Sequence, residues 1–130
     1  MKRMKMMRIA IPYDNGQIFK RFGHASQFKF YDVEDGRILR EQVIDTPPKT
    51  GHAVFAGFLK KMSADVLICD RIGDGGKSAL KAADIELYAG IQGNADDAVK
   101  ALIQGTLSKN DNEKPKRKFA DQLNVPISFY

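Results

Sequence analysis

The chain has one cysteine, two histidines and no tryptophan among its 130 residues. A single cysteine excludes an internal disulfide framework and is typical of proteins from a reducing compartment. Histidine and cysteine side chains, which commonly bind transition metals, are therefore few. They are His24, His52 and Cys69, and each is a separate candidate ligand.

Long apolar runs are also absent. The basic opening MKRMKMMR resembles the start of a signal peptide, but only the short apolar run 9–13 follows it before Asp14. No window approaches the roughly 18 to 20 apolar residues of a membrane span. We therefore expect a soluble, cytoplasmic protein without a membrane segment.

Excess positive charge is confined to the two ends of the chain. The formal net charge is +5, and the excess comes from residues 1–8 and 109–118, so the segment between them is close to neutral. These basic ends lack the interleaved aromatic side chains on which nucleic-acid bases stack. We therefore do not expect nucleic-acid binding, although a module that uses the basic ends to bind nucleic acid or an acidic partner stays an alternative.

Apolar periodicity predicts one α/β domain with a mixed sheet and the element order βββαβαβα. Strands are expected at residues 8–13, 27–33, 37–44, 66–69 and 85–88, and helices at 52–62, 75–83 and 94–104. The last helix has clear end signals, because Asn94 suits the N-cap and Gly105 suits the C-terminal cap.

The composition changes after residue 107. The segment SKNDNEKPKRK is polar and charged, which is typical of a solvated linker. We therefore place the domain at 7–107 and a basic linker with a C-terminal tail at 108–130. In the tail, every second residue from Leu123 to Phe129 is apolar, so this segment either docks as an edge strand or captures a partner.

Three candidate metal ligands lie where predicted strands end or helices begin. His24 stands in the glycine-containing FGHA loop, His52 follows Gly51 at the start of a helix, and Cys69 ends a short apolar strand. Open α/β sheets place ligand sites at such points. The alternatives are structural: Cys69 would be a small core residue, and His52 would belong to the first turn of a helix capped by Thr50.

The loop RIGDGGKS, residues 71–78, ends like a phosphate-binding loop. The full motif requires glycine where this chain has Arg71, so ATPase activity is not expected. A glycine loop before a helix still presents backbone N–H groups to an anion. Gly73, Gly75 and Gly76 would then cradle an anion with Arg71 or Lys77 as counter-charge, or these glycines only make a tight turn.

Several motifs together resemble a known family. They are RIAIPYDNG, FGHA, FYDVEDGRI, the pair Gly51-His52, LICDRIGDGGKSALKAADIELYAG and GNADDAVKALIQGTL, in this order over residues 7–107. The order and spacing resemble the dinitrogenase iron-molybdenum cofactor biosynthesis family, with its NifX-like and NifB C-terminal-like domains. This resemblance implies a ribonuclease H-like three-layer fold. It also implies a non-catalytic protein that binds or carries an iron-sulfur or iron-molybdenum cofactor precursor and exchanges it with cofactor-assembly proteins.

Such a precursor is anionic and rich in iron, which imidazole and thiolate groups can bond. His24, His52 and Cys69 supply these groups. A stable iron-sulfur cluster usually takes four protein thiolates, and one cysteine does not provide them. The sequence therefore predicts cargo that arrives preassembled and is held by few ligands, as release requires.

The implied fold raises an alternative from another class, a metal-dependent nuclease. Asp14 and Asp70 stand near strand ends and Asp32 is the obvious third carboxylate. Two-metal chemistry needs several convergent carboxylates. This alternative therefore requires that the three side chains meet in the folded chain.

Overall fold

The computed structural model describes residues 6–47 and 51–107, so the predicted linker and tail lie outside the described residues. Within these ranges the chain forms β1 (Met6–Asp14), β2 (Gln17–Ile18), a 3₁₀ turn (Phe22–His24), β3 (Gln27–Glu34), β4 (Arg37–Asp45), α1 (His52–Lys61), β5 (Val66–Ile68), α2 (Asp74–Ala82), β6 (Glu86–Tyr88) and α3 (Ala95–Gln104). None of the helices in the described part has the length and apolarity needed to cross a membrane.

The described strands form one mixed sheet in the order β4-β3-β1-β5-β6, and β2 pairs with β1 beside this path. β3 runs antiparallel to both of its neighbours, whereas β1, β5 and β6 run parallel to one another. The predicted α/β class with a mixed sheet and three helices is confirmed.

The segment between β1 and β3, expected to be a single loop, contains two further elements. Asn15 and Gly16 adopt positive φ angles of 51° and 91°, and this tight turn pairs β2 with the end of β1. The 3₁₀ turn follows. The predicted order βββαβαβα was therefore wrong in omitting β2, because a strand of two residues is too short to show apolar alternation.

The sheet has a helical layer on each face, because side chains alternate between the faces along each strand. Ala10 of β1 belongs to a core cluster with Phe55 and Leu59 of α1 and Leu80 of α2. Its neighbours Ile9 and Ile11 belong instead to a second cluster that includes residues of α3. The domain therefore has three layers, with α1 and α2 on one face and α3 on the other.

An aromatic cluster fills the α1 side of the core. Phe22, from the 3₁₀ turn, is 2% exposed and packs edge-to-face against Phe28 and Phe55, with ring centroids 6.1 and 5.8 Å away. Phe28 and Phe55 also contact each other edge-to-face at 5.6 Å. Such pairs add about 0.5 to 1.5 kcal/mol each beyond the burial of their area. The turn that carries His24 is thus anchored in the core.

A polar cluster connects α3 to the face of the sheet on which it packs, opposite the aromatic cluster. The Lys29 ammonium lies 2.9 Å from Glu41 Oε1 and 3.0 Å from Asp96 Oδ1, and the Tyr31 hydroxyl donates to the same Asp96 oxygen at 2.5 Å. Lys29 is only 9% exposed. The hydrogen bonds from Tyr31 and Lys29 lower the pKa of the Asp96 carboxyl below its ordinary value.

We predict that Asp96→Asn lowers the melting temperature by a few degrees at pH 7, because about 1 kcal/mol of charge-assisted hydrogen bonding is lost at this half-exposed site. A carboxylate with a lowered pKa stabilises the fold above its unfolded pKa of about 4, and that contribution disappears as the pH falls further. The melting temperatures of the wild type and of Asp96→Asn, measured between pH 7 and pH 3, should therefore converge as the pH falls.

The matched control is Asp97→Asn, which removes an exposed acid from the same helical turn. It should shift the melting temperature less than Asp96→Asn at pH 7. Equal shifts for both variants would mean that the Lys29 and Tyr31 contacts contribute nothing beyond the favourable interaction of an acid with the helix N-terminus.

Candidate functional site

An open cleft of about 710 Å³ lies at the end of the sheet where β1 and β5 finish. Four segments surround it: the 3₁₀ turn, the start of α1, the loop between β5 and α2, and the loop after β6. We call it the basic cleft. It is lined by Arg21, Phe22, Gly23, His24, His52, Asp70, Arg71, Ile72, Gly73, Lys77, Ala89, Gly90 and Gln92. Sites at the carboxyl ends of parallel strands are the rule in open α/β sheets.

Backbone hydrogen bonds hold the His24 turn against the loop that follows β5. The Phe22 N–H donates to the Arg71 carbonyl at 3.0 Å, and the Arg71 N–H donates to the Lys20 carbonyl at 3.0 Å. Together with the burial of Phe22, these bonds fix the base of the turn. The His24 side chain stays exposed on the cleft.

The loops after β5 and β6 are joined in the same way. The Gly90 N–H donates to the Asp70 carbonyl at 2.8 Å, and the Ile91 N–H donates to the Cys69 carbonyl at 3.0 Å. The floor of the basic cleft is therefore built from paired backbone.

His52 lines the cleft, and its imidazole packs against a glycine of the neighbouring helix. A Cβ built on Gly75, in the first turn of α2, would lie 2.7 Å from His52 Nε2. A Cβ on Gly76 would lie 2.6 Å from Ile72 Cγ1. Both glycines therefore permit close packing, whereas Gly73 has open space around its Cα and lines the cleft itself.

Two helices begin beside the cleft, and neither has a side-chain cap. The N-cap residue of α1 is Gly51 and that of α2 is Gly73, with no capping hydrogen bond from a side chain at either position. The N-cap of α1 is Gly51, not Thr50 as the alternative proposed, and Thr50 itself lies outside the described residues. The first N–H groups of such helices favour anions.

The charges that line the cleft are mostly positive. Arg21, Arg71 and Lys77 contribute cations, and Asp70 is the only acid among the described residues that line it. Arg71 and Lys77 were predicted from the glycine loop. Arg21 and Gln92 were not predicted, because no motif contains them, although Arg21 stands just before the FGHA loop.

Cys69 does not line the cleft. Its side chain is 0% exposed in the α1 side of the core, and burial, with a smaller effect from Asp70, raises the pKa of its thiol to about 12. In the part of the chain that the structure describes, no group of three His, Cys, Asp or Glu side chains is placed to hold a metal ion. His24 and His52 therefore share the cleft without Cys69.

The three carboxylates of the nuclease hypothesis do not meet. Asp32 forms a 2.7 Å ion pair with the guanidinium of Arg8, near the start of β1, whereas Asp14 ends that strand. Because strands rise about 3.3 Å per residue, these two carboxylates lie roughly 20 Å apart along the sheet. The nuclease alternative is therefore not supported.

One family model matches most of the chain. Residues 5–105 match the family model described as "Dinitrogenase iron-molybdenum cofactor". The uncharacterized protein MJ0580 of Methanocaldococcus jannaschii is 28% identical to the chain over 111 residues, which cover 82% of this chain and 94% of that protein.

Solved structures of similar proteins have the same fold. The crystal structure of PH0822 has a TM-score of 0.75 and 27% sequence identity, and the match covers 83% of this chain and 100% of that one. The apo form of the orange protein from Desulfovibrio gigas has a TM-score of 0.68 and 26% identity, covering 82% of this chain and 94% of that one.

We predict that Gly75→Ala displaces the His52 imidazole while the domain stays folded, because the clash falls on the far end of a movable side chain. The matched control is Gly57→Ala in α1, where an added Cβ meets nothing within 4 Å. That control should stabilise the fold by about 0.5 to 1 kcal/mol, the usual gain from alanine in a helix interior.

The measurement is the NMR chemical shift of the His52 ring protons, together with thermal unfolding. Gly75→Ala should move these ring signals and Gly57→Ala should leave them in place. Unchanged His52 signals in Gly75→Ala would contradict the close approach of the imidazole to α2.

Proposed function

The chain belongs to the dinitrogenase iron-molybdenum cofactor family, and we propose that it binds and carries an iron-sulfur or iron-molybdenum cofactor precursor in the basic cleft, without catalysis. The observation that carries this proposal is that His24 and His52, from separate elements, both line one cleft with a positive excess. Of the other predicted site residues, Arg71 and Gly73 also line the cleft, from the loop after β5.

The charge of the cleft suits an anionic cargo. Arg21, Arg71 and Lys77 would face the cargo from two loops and a helix, and the uncapped starts of α1 and α2 add N–H groups and dipoles of the same sign. These contacts are spread around the cleft. They would hold a large anion by its charge and shape, without requiring a bond to each iron atom.

The two imidazoles would supply the direct bonds to iron. Neutral imidazole nitrogen is a common ligand for iron and for other transition metals. Two such ligands are fewer than the four thiolates of a permanent cluster site. The cargo would therefore arrive preassembled from a donor protein and leave for an acceptor, and a reducing cytoplasm would suit both steps.

We also propose that the fold is of the ribonuclease H-like type that the family resemblance implies. The order β4-β3-β1-β5-β6, with β3 antiparallel to its neighbours and helices on both faces, supports this assignment. The fold alone does not indicate nuclease activity, because function depends on the residues of the site.

We predict that His24→Ala and His52→Ala each reduce the binding of a preassembled iron-sulfur cofactor precursor. The experiment is an anaerobic titration of the full chain followed by gel filtration, with iron and sulfide analysis of the protein peak. Cys69→Ala is the control, because a buried thiol with a raised pKa should not contribute a bond.

The predicted result is co-elution of iron and sulfide with the wild type and Cys69→Ala, and reduced co-elution with both histidine variants at an unchanged melting temperature. If co-elution of iron and sulfide were lost only in Cys69→Ala, and that variant stayed folded, Cys69 would be a ligand after all. Absence of co-elution with the wild type would overturn the proposed cargo.

Electrostatic recognition gives a second prediction. Arg21→Gln and Arg71→Gln should each weaken precursor binding by about fivefold at low salt, which corresponds to about 1 kcal/mol for close charges in water. The difference from the wild type should shrink as salt rises. Arg37→Gln, at the exposed start of β4, is the control and should leave the affinity unchanged. Equal effects of all three variants would indicate a general charge effect without a specific site.

A further inference from the structure

The outer edge of β4 is open in the described part of the chain. β4 pairs with β3 on one side, and no described strand pairs with its other side. The strand is nine residues long, Arg37–Asp45. A long edge strand presents a row of unpaired backbone N–H and C=O groups, which proteins usually cover or protect.

This edge also carries apolar side chains that the described residues leave exposed. Leu39 is 55% exposed and Val43 is 42% exposed. Val43 lies opposite Lys29 in the β3–β4 ladder, and Glu41 lies opposite Tyr31. Since Tyr31 faces α3, Val43 extends the α3 face of the sheet beyond the reach of that helix.

The chain leaves the described structure close to the start of this edge. A Cβ built on Gly36, in the turn between β3 and β4, would lie 3.9 Å from Ile103 Cγ2 of α3. Leu107, the last described residue, packs on the same apolar cluster as Ile38 of β4. The C-terminal end of α3 therefore lies near the start of β4.

We propose that residues 123–129 pair with the outer edge of β4 in the same chain, as a further strand of the sheet. The segment carries apolar residues at alternate positions, as a strand with one covered face requires. These are Leu123, Val125, Ile127 and Phe129. On β4 they would lie on the α3 face beside Val43 and cover its exposed surface.

The lengths agree with this pairing. Seven residues of strand span about 23 Å, which fits along the roughly 30 Å of β4. Residues 108–122 reach at most about 50 Å when extended, so the connection spans the whole of β4 from its starting point. The connection is therefore long enough to reach either end of β4.

Pro126 fixes which side of the segment faces β4. Because N–H groups alternate between the two sides of a strand, the missing donor of Pro126 is harmless only on the outer side. The N–H groups of Val125 and Ile127 would then point toward β4. The proline on the outer side would also prevent a further strand from joining the sheet.

The test is amide hydrogen exchange of the full chain, comparing Ile127→Pro with Ser128→Pro. Ile127→Pro removes a donor that faces β4, whereas Ser128→Pro changes a position that faces outward. In the wild type and in Ser128→Pro, residues 37–45 and 123–129 should exchange about tenfold more slowly than in Ile127→Pro. Val43→Glu, at an exposed position, should remove the protection of 123–129 while the domain keeps its melting temperature.

The alternative occupants of the edge give different results. Light scattering should show a monomer at every concentration at which the tail is protected. Protection that appears only as the protein dimerises would place the tail on a second copy and overturn the pairing within one chain. Unprotected residues 123–129 in the wild type, or equal effects of both proline variants, would overturn the strand itself.

Discussion

The burial of Phe22 is the constraint on which the arrangement of the basic cleft depends. Its ring packs against Phe28 of β3 and Phe55 of α1, the helix that begins with His52. Its backbone N–H donates to Arg71 in the loop after β5. One residue thus connects the aromatic core, the turn that carries His24 and the loop that carries Arg71. Binding groups held by packed and paired neighbours need less reorganisation when a ligand arrives.

The cleft is basic although the middle of the chain is nearly neutral, because the described acids other than Asp70 lie outside it. Asp32 accepts hydrogen bonds from Arg8 at 2.7 and 3.3 Å, and Asp96 accepts from Tyr31 and Lys29. These pairs stabilise the sheet and its contact with α3. They lie away from the cleft, where only Asp70 opposes the cations among the described lining residues. Net charge per chain therefore says little about the sign of a local site.

The sequence predicted elements whose signals are local. The end signals of α3 are one example: Asn94 accepts a hydrogen bond from the Asp97 N–H at 2.9 Å, and Gly105 adopts a φ of 78°. Contacts between distant residues were not predictable in the same way. The approach of His52 to Gly75 depends on how α1 packs on α2, and the sequence left open whether Cys69 is a ligand or the core residue that the structure shows. For the same reason Arg21 was missed, and the separation of Asp32 from Asp14 could not be predicted.

The burial of the one cysteine has a consequence for the proposed carrier. The nucleophile and metal ligand of cysteine is the thiolate, and a thiol pKa of about 12 leaves Cys69 protonated at neutral pH. Bonds to iron would then fall to two imidazoles, and the remaining attraction would come from exposed charges that solvent and salt weaken. Each of these contacts is individually reversible. A site of this kind can hold a cluster firmly only through many weak contacts at once, so an acceptor that replaces them a few at a time can take the cargo without a large barrier.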